Sequence, residues 1–342
     1  MMSRRPYALA ALAALCLAAV QPAWAELGLS AIQALPRLDV RMRGGEPIAD
    51  TLRVMQLETG LLLSVTDGES ELATVLLELN AETPMTGRAR QMHFSNAYAL
   101  INTGTGSPRL KVGQFVVPFG TLAEYDTHDI PLQTPYARTL GIRLDRGIGI
   151  EGFSDEWDYQ SAVTSGDGRH RHANGYALTA RAARDYEFGD DFLRVGISGL
   201  VGEEMPVFPT NAMSLSMGMD DMVEHRDKWR LALDADWLRG IDNIRAEFVF
   251  GADDGDSVDG QWLSYNHPFS YGEDVTVQAD RWRQDDGESY GLGAQYHRRI
   301  DDWSGVRAAY EKRWVSRSAL PDTDSDTWTI QYYREWAWTP NL

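Results

Sequence analysis

Seven ionisable residues crowd one stretch of the chain: Glu124, Asp126, His128 and Asp129, followed by Arg138, Arg143 and Arg146. Acids come first and arginines second. Facing each other across water, such groups set up a transverse field that orders water and dipolar solutes and disfavours apolar ones. Paired locally, they would instead hold the segment against a wall. Either use is electrostatic, and neither is catalytic.

Other groupings carry weaker chemistry. Met205, Met213, Met217, Met219, Met222 and His225 share one long loop, and thioethers with an imidazole suit a soft ion such as Cu(I). Methionine also fills irregular gaps in folded loops, which is the commoner use; Met217, Met219, Met222 and His225 are kept as the weak metal candidates. Asp253 to Gly260 offers oxygen ligands without the spacing or closing glutamate of an EF-hand, and reads as a solvated acidic loop. Gly287-Glu-Ser-Tyr-Gly291 matches a hydrolase pattern by chance, because it leads into a strand rather than a strand-to-helix elbow. His170 and His172 read as surface histidines. No cofactor is implied.

The elements that position the charged stretch are strands. Arg109 to Gly120 is β-rich and stops at Pro118 and Gly120; Arg146 to Glu151 resumes the strand pattern. An irregular insert of this length between two strands is usually functional. Elsewhere apolar and polar residues alternate with period two, as in Trp229, Leu231, Leu233, Ala235 and Trp237 against Arg230, Ala232, Asp234 and Asp236. About sixteen such segments follow, each near the roughly 9 to 11 residues of a tilted membrane strand. Their centres lie near Val40, Thr59, Val75, Tyr98, Val112, Ile148, Tyr159, Leu178, Val195, Leu233, Ala246, Leu263, Val277, Ala294, Ala308 and Ile330.

Connections after even-numbered strands are short. Those after odd-numbered strands are longer and acidic, notably Thr121 to Asp145, Gly202 to Asp227, Asp253 to Gly260 and Val315 to Ser325. Alternation of short turns and long loops is how an outer-membrane barrel is built, and a soluble sandwich gives no reason for it. Aromatics bracket the strands at Trp229 and Trp237 and at Tyr290 and Tyr296, as interfacial girdles would. Opposite the apolar face stand Arg181, Arg194, Arg230, Asp234, Asp236, Arg245, Glu247, Asp280, Arg307, Glu311 and Arg313. That is too many charges for a packed core and natural for a watery lumen. With Glu58, Glu78 and Asp158 added, acids on this wall outnumber arginines, so mild cation preference is expected.

Composition agrees with export. Arg4 and Arg5, an apolar run from Tyr7 to Val20 and Ala23-Trp-Ala25 read as a cleaved signal peptide over residues 1–25, with a single barrel domain over 26–342. Removing it takes the formal charge from −18 to −20, which excludes a phosphate-backbone partner. The single cysteine, Cys16, lies inside the leader, so no disulfide or thiolate metal site is expected after it.

Gly113-Gln-Phe-Val-Val-Pro-Phe-Gly120 resembles the Gly-Gln-Phe-x-x-Pro-Phe-Gly segment of the phosphate-selective porin O/P family of bacterial outer-membrane porins. The resemblance implies an all-β fold: a transmembrane antiparallel barrel of about sixteen strands, usually trimeric, whose third extracellular loop folds inward. Here that loop is Thr121 to Asp145. It further implies passive diffusion of small hydrophilic solutes, no enzymatic activity, and contact with outer-membrane lipid and lipopolysaccharide. Anion-selective members use basic pore residues, whereas this chain has Lys111, Lys228 and Lys312 as its lysines. The alternatives are a non-conducting structural or metal-binding barrel and a soluble periplasmic β-protein.

Overall fold

A computed structural model describes residues 27–46, 51–67, 70–82, 91–104, 108–121, 130–132, 134, 139–154, 156–168, 175–207, 224–318 and 321–337. The leader, the methionine-rich segment 208–223 and the pair His170 and His172 lie outside them.

Sixteen strands follow one another: β1 Leu27–Glu46, β2 Thr51–Asp67, β3 Ser70–Glu82, β4 Gln91–Asn102, β5 Arg109–Val116, β6 Leu144–Ser154, β7 Trp157–Thr164 and β8 Tyr176–Phe188; then β9 Asp191–Val207, β10 Glu224–Arg239, β11 Asp242–Asp253, β12 Asp256–Ser270, β13 Glu273–Gln284, β14 Gly287–Asp301, β15 Ser304–Arg317 and β16 Thr323–Glu335. Each expected centre falls inside the strand of the same rank. Every neighbour pairs antiparallel, and β1 closes the sheet on β16 from Arg37↔Glu335 to Glu46↔Asp326. Closure leaves no edge strand, the condition for a sheet to lie in lipid.

The period-two pattern decides which face is which. On β10, Trp229, Leu231 and Leu233 are exposed outward while Lys228, Arg230, Ala232 and Asp234 are buried inward. The same outward exposure recurs at Phe248, Phe250, Leu263, Leu292 and Ile330, giving an apolar belt of the kind that faces lipid. Trp229, Tyr290 and Trp314 lie toward its loop end, and Trp237, Tyr265 and Tyr296 toward its turn end.

Three expectations are corrected. Strands run from 8 residues in β5 to 20 in β1, because many extend beyond the membrane band as hairpins. Asp253 to Gly260 is one such hairpin rather than an acidic loop: Asp254 and Gly255, both in the left-handed region (φ 49° and 93°), are the whole connection between β11 and β12. Asp-Gly is favoured there because a primed two-residue turn needs positive φ at both positions. Likewise β15 runs to Arg317 and β16 begins at Thr323, shortening the expected loop from Val315 to Ser325.

Two ion pairs cross the inner wall over glycines. Arg181 of β8 meets Asp234 of β10 at 2.7 Å across β9, where a Cβ on Gly196 would approach Asp234 Oδ2 to 2.5 Å. Arg313 of β15 meets Asp280 of β13 at 2.8 Å across β14, over Gly291. A side chain on either glycine would occupy the carboxylate's place. Gly291→Leu is therefore expected to destabilise the barrel by about 1–3 kcal/mol, the usual cost of overpacking. Its urea midpoint, read from heat-modifiable migration, checks this; an unchanged midpoint would refute the bridging arrangement.

Candidate functional site in the loop-narrowed lumen

The segment between β5 and β6 turns into the barrel, and the motif Gly113 to Gly120 explains how. Gly113 (φ 134°) lets β5 run so close to β4 that a Cβ would collide with the Ala97 carbonyl. Pro118 cannot donate to the ladder, so the strand ends. Gly120 (φ 58°) then lies against the Glu247 carboxylate with no room for a side chain.

Apolar packing holds the loop's two stems. Val117 and Phe119 on one and Leu140 and Ile142 on the other join Ala177, Leu200, Met205, Ala232, Val249, Val258 and Trp282 in a cluster inside the barrel. Burying each large side chain contributes about 1.5–3 kcal/mol, more than an exposed ion pair at roughly 0–1 kcal/mol. Greasy stems, not surface charges, therefore dock the loop.

Buried polar groups fix its register. Glu247 Oε2 of β11 accepts from Thr121 N at 2.7 Å, and Ser198 Oγ of β9 accepts from Gly120 N at 2.9 Å. Arg230 of β10 donates from Nε to Thr139 O at 2.9 Å and from Nη1 to Ala252 O at 2.9 Å, and its Nη2 pairs with Asp253 at 2.7 Å. Lys228 Nζ donates to Leu140 O at 3.0 Å and to Pro206 O. Farther in, Leu132 N donates to Gln295 Oε1 of β14 at 3.4 Å. The loop thus spans from β5 and β6 to β9–β11 and on to β14, narrowing the lumen from one side.

All eleven wall candidates lie on the inward face, but they divide by burial. Arg181, Arg230, Asp234, Glu247, Asp280 and Arg313 are buried and serve as ties within the wall or to the loop. Arg194, Asp236, Arg245, Arg307 and Glu311 stay partly exposed. Arg194 pairs with Asp158, and Arg245 with Asp236 at 3.0 Å.

Of the constriction candidates, Glu124, Asp126, His128, Asp129 and Arg138 lie outside the described residues. Arg143 is buried at the end of the loop, its carbonyl accepting from Val117 N at 2.9 Å. Arg146 is a correction: it shares the outward face of β6 with Ile148 and Ile150, and its Nε donates to Gln114 at 3.4 Å. Strand parity sends Asp145, Gly147 and Gly149 inward instead. Met217, Met219 and Met222 lie outside the described residues. His225 stands opposite Pro206, and no group of three metal-ligating His, Cys, Asp or Glu occurs among the described residues.

Sequence reasoning missed the seam. Asp39, inward on β1, is paired with Arg41 at 2.6 Å and accepts from Gln331 Nε2 of β16 at 2.6 Å. Gln331 in turn accepts from Arg307, whose guanidinium lies 4.4 Å from the centre of the Tyr333 ring. The alternation of β1 itself is regular here, since the register shift beside Asp39 leaves the extra residue on β2, so Asp39 and Arg41 were legible as inward; their tie to β16 across the barrel closure was not. Lys228 was within reach, since it shares the parity of Arg230.

No family profile and no curated protein matches the chain. Solved structures do. In-vitro folded OmpT of Vibrio cholerae in its trimer form is similar over 91% of this chain and 99% of that one, at 11% identity and a TM-score of 0.63. The fold is shared with outer-membrane barrels. The outer-membrane channel DcaP of Acinetobacter baumannii is similar over 92% and 98%, with 10% identity and a TM-score of 0.63. OprB of Pseudomonas putida is similar over 91% and 94%, with 8% identity and a TM-score of 0.57.

Proposed function

We propose that the chain is a bacterial outer-membrane porin that lets small hydrophilic solutes and ions diffuse passively through a loop-narrowed barrel, assembled as a homotrimer among lipid and lipopolysaccharide. The observation that carries this reading is an inward-folded third loop tied to a charged inner wall, inside a barrel whose outer face is apolar. Similarity in fold to the outer-membrane channel DcaP and to OmpT in its trimer form supports it. Kinship with the phosphate-selective porin O/P family rests on the motif Gly113 to Gly120, whose glycines and proline turn the chain inward here.

Charge selectivity follows from the wall. Acids dominate the chain, but most buried charges are paired and the partly exposed wall carries both signs, with Arg194, Arg245 and Arg307 beside Asp236 and Glu311, so the preference is mild and for cations. The purified protein in a planar bilayer is expected to give stepwise conductance with a small cation-selective reversal potential under a salt gradient. A potential of opposite sign would refute the preference, and silence from a well-folded barrel would refute the channel. The apolar cluster inside the barrel favours one second reading, a plugged structural barrel, and the same silence would establish it.

A further inference from the structure

A cavity of about 170 Å³ lies between the inner part of the loop and the wall formed by β12 to β15. Its apolar side is made by Ile130 and Leu132 of the loop with Trp262. The lining also holds hydroxyls and amides, Ser264, Thr276, Gln278 and Gln295, of which Thr276 Oγ1 accepts from Asn266 at 2.9 Å, Gln278 Oε1 from Trp262 Nε1 at 3.4 Å and Gln295 Oε1 from Leu132 N at 3.4 Å.

The charges at its margin already have partners. Asp274 is bonded to His297 Nδ1 at 2.8 Å and accepts from Asn266 Nδ2 at 2.9 Å. Arg307 donates to Gln331 at 3.0 Å and lies over Tyr333. An ionic ligand would have to displace one of these pairs or be desolvated without a counter-charge, which is costly. A wholly apolar ligand would strip water from amides and hydroxyls and return no hydrogen bond. The complement of this cavity is a small neutral molecule with one apolar face and a hydroxylated rim. The volume is below the range of drug-sized pockets, about 300 Å³ and up, and suits a single ring.

We infer that this cavity is a solute subsite for a neutral polyhydroxylated ring of monosaccharide size, a reading that rests on the channel function proposed above. Trp262 and the loop leucine face the ring's C–H surface, and Gln278 and Thr276 bond its hydroxyls. Binding is weak, because a solute in transit must leave as readily as it enters.

The test uses the full barrel in a planar bilayer, with D-glucose as probe and succinate as the charged comparison. Glucose is expected to cause a saturable fall in conductance with added current noise, and succinate no saturable fall. Gln278→Leu and Thr276→Val should each weaken the apparent glucose affinity about three- to tenfold, the worth of one hydrogen bond. Ser264→Trp, which fills the cavity, should abolish the response; heat-modifiable migration verifies that each variant is folded. Conducting steps indifferent to glucose, a saturable block by succinate alone, or folded Gln278→Leu and Thr276→Val channels that respond like the parent would overturn the subsite and leave the porin standing. A folded barrel that never conducts would overturn both.

Discussion

Excising residues 122–138 and joining Thr121 to Thr139 by a short Gly-Ser linker is expected to raise single-channel conductance severalfold and to speed the entry of larger neutral solutes into liposomes. The cut is structurally mild. Thr121 is tied to Glu247 of β11, and Thr139 to Arg230 of the adjacent β10, so the linker bridges neighbouring strands. Both stems keep their apolar cluster, and the barrel ladder is untouched. What disappears is the part that reaches β14 through Leu132 and Gln295. Because connections on this face of a barrel tolerate shortening far better than strands do, folding should survive. A conductance equal to that of the intact chain would mean that the loop does not set the narrowing.

The second large effect is expected at Arg230. Its side chain is fully buried, and its methionine replacement leaves Asp253 as a buried carboxylate without its cation. The carbonyls of Thr139 and Ala252 lose a donor at the same time. Breaking a buried pair on one side costs about 3–5 kcal/mol, whereas replacing both partners by apolar groups is often close to neutral. Arg230→Met should therefore lower the urea midpoint strongly, and Arg230→Met with Asp253→Leu should recover most of the loss. Loosening of the loop stem gives a separate readout, excess open-channel noise that the double variant keeps, since Thr139 remains untied. A single variant within about 1 kcal/mol of the parent would show that the pair is not a tie.

The Gly113 to Gly120 motif links these expectations to the sequence. Its proline ends β5, its last glycine fits under a carboxylate donated by a strand more than a hundred residues away, and its Phe119 seeds the stem cluster. A short local pattern therefore marks where the chain leaves the wall, although the group that receives it is remote.

Strand number, the inward or outward sense of each face and the position of the third loop were legible in the sequence. Each is a local property: period two assigns the face, and turn length alternates with the side of the membrane. Tertiary structure alone decided which inward charges meet water. Arg230 and Arg245 look alike in the alternation, yet one is sealed under Thr139 and the other pairs with Asp236 and stays partly exposed. Burial of Arg230 depends on where a loop that leaves the wall four strands away, at β6, docks, and no periodicity records that. The seam shows the same limit, because Asp39 lies inward by regular alternation while its partner Gln331 comes from the far end of the chain through closure of β1 on β16. A period-two signal reads a face only while the ladder stays regular, and a charge's role is set by what comes to lie on it.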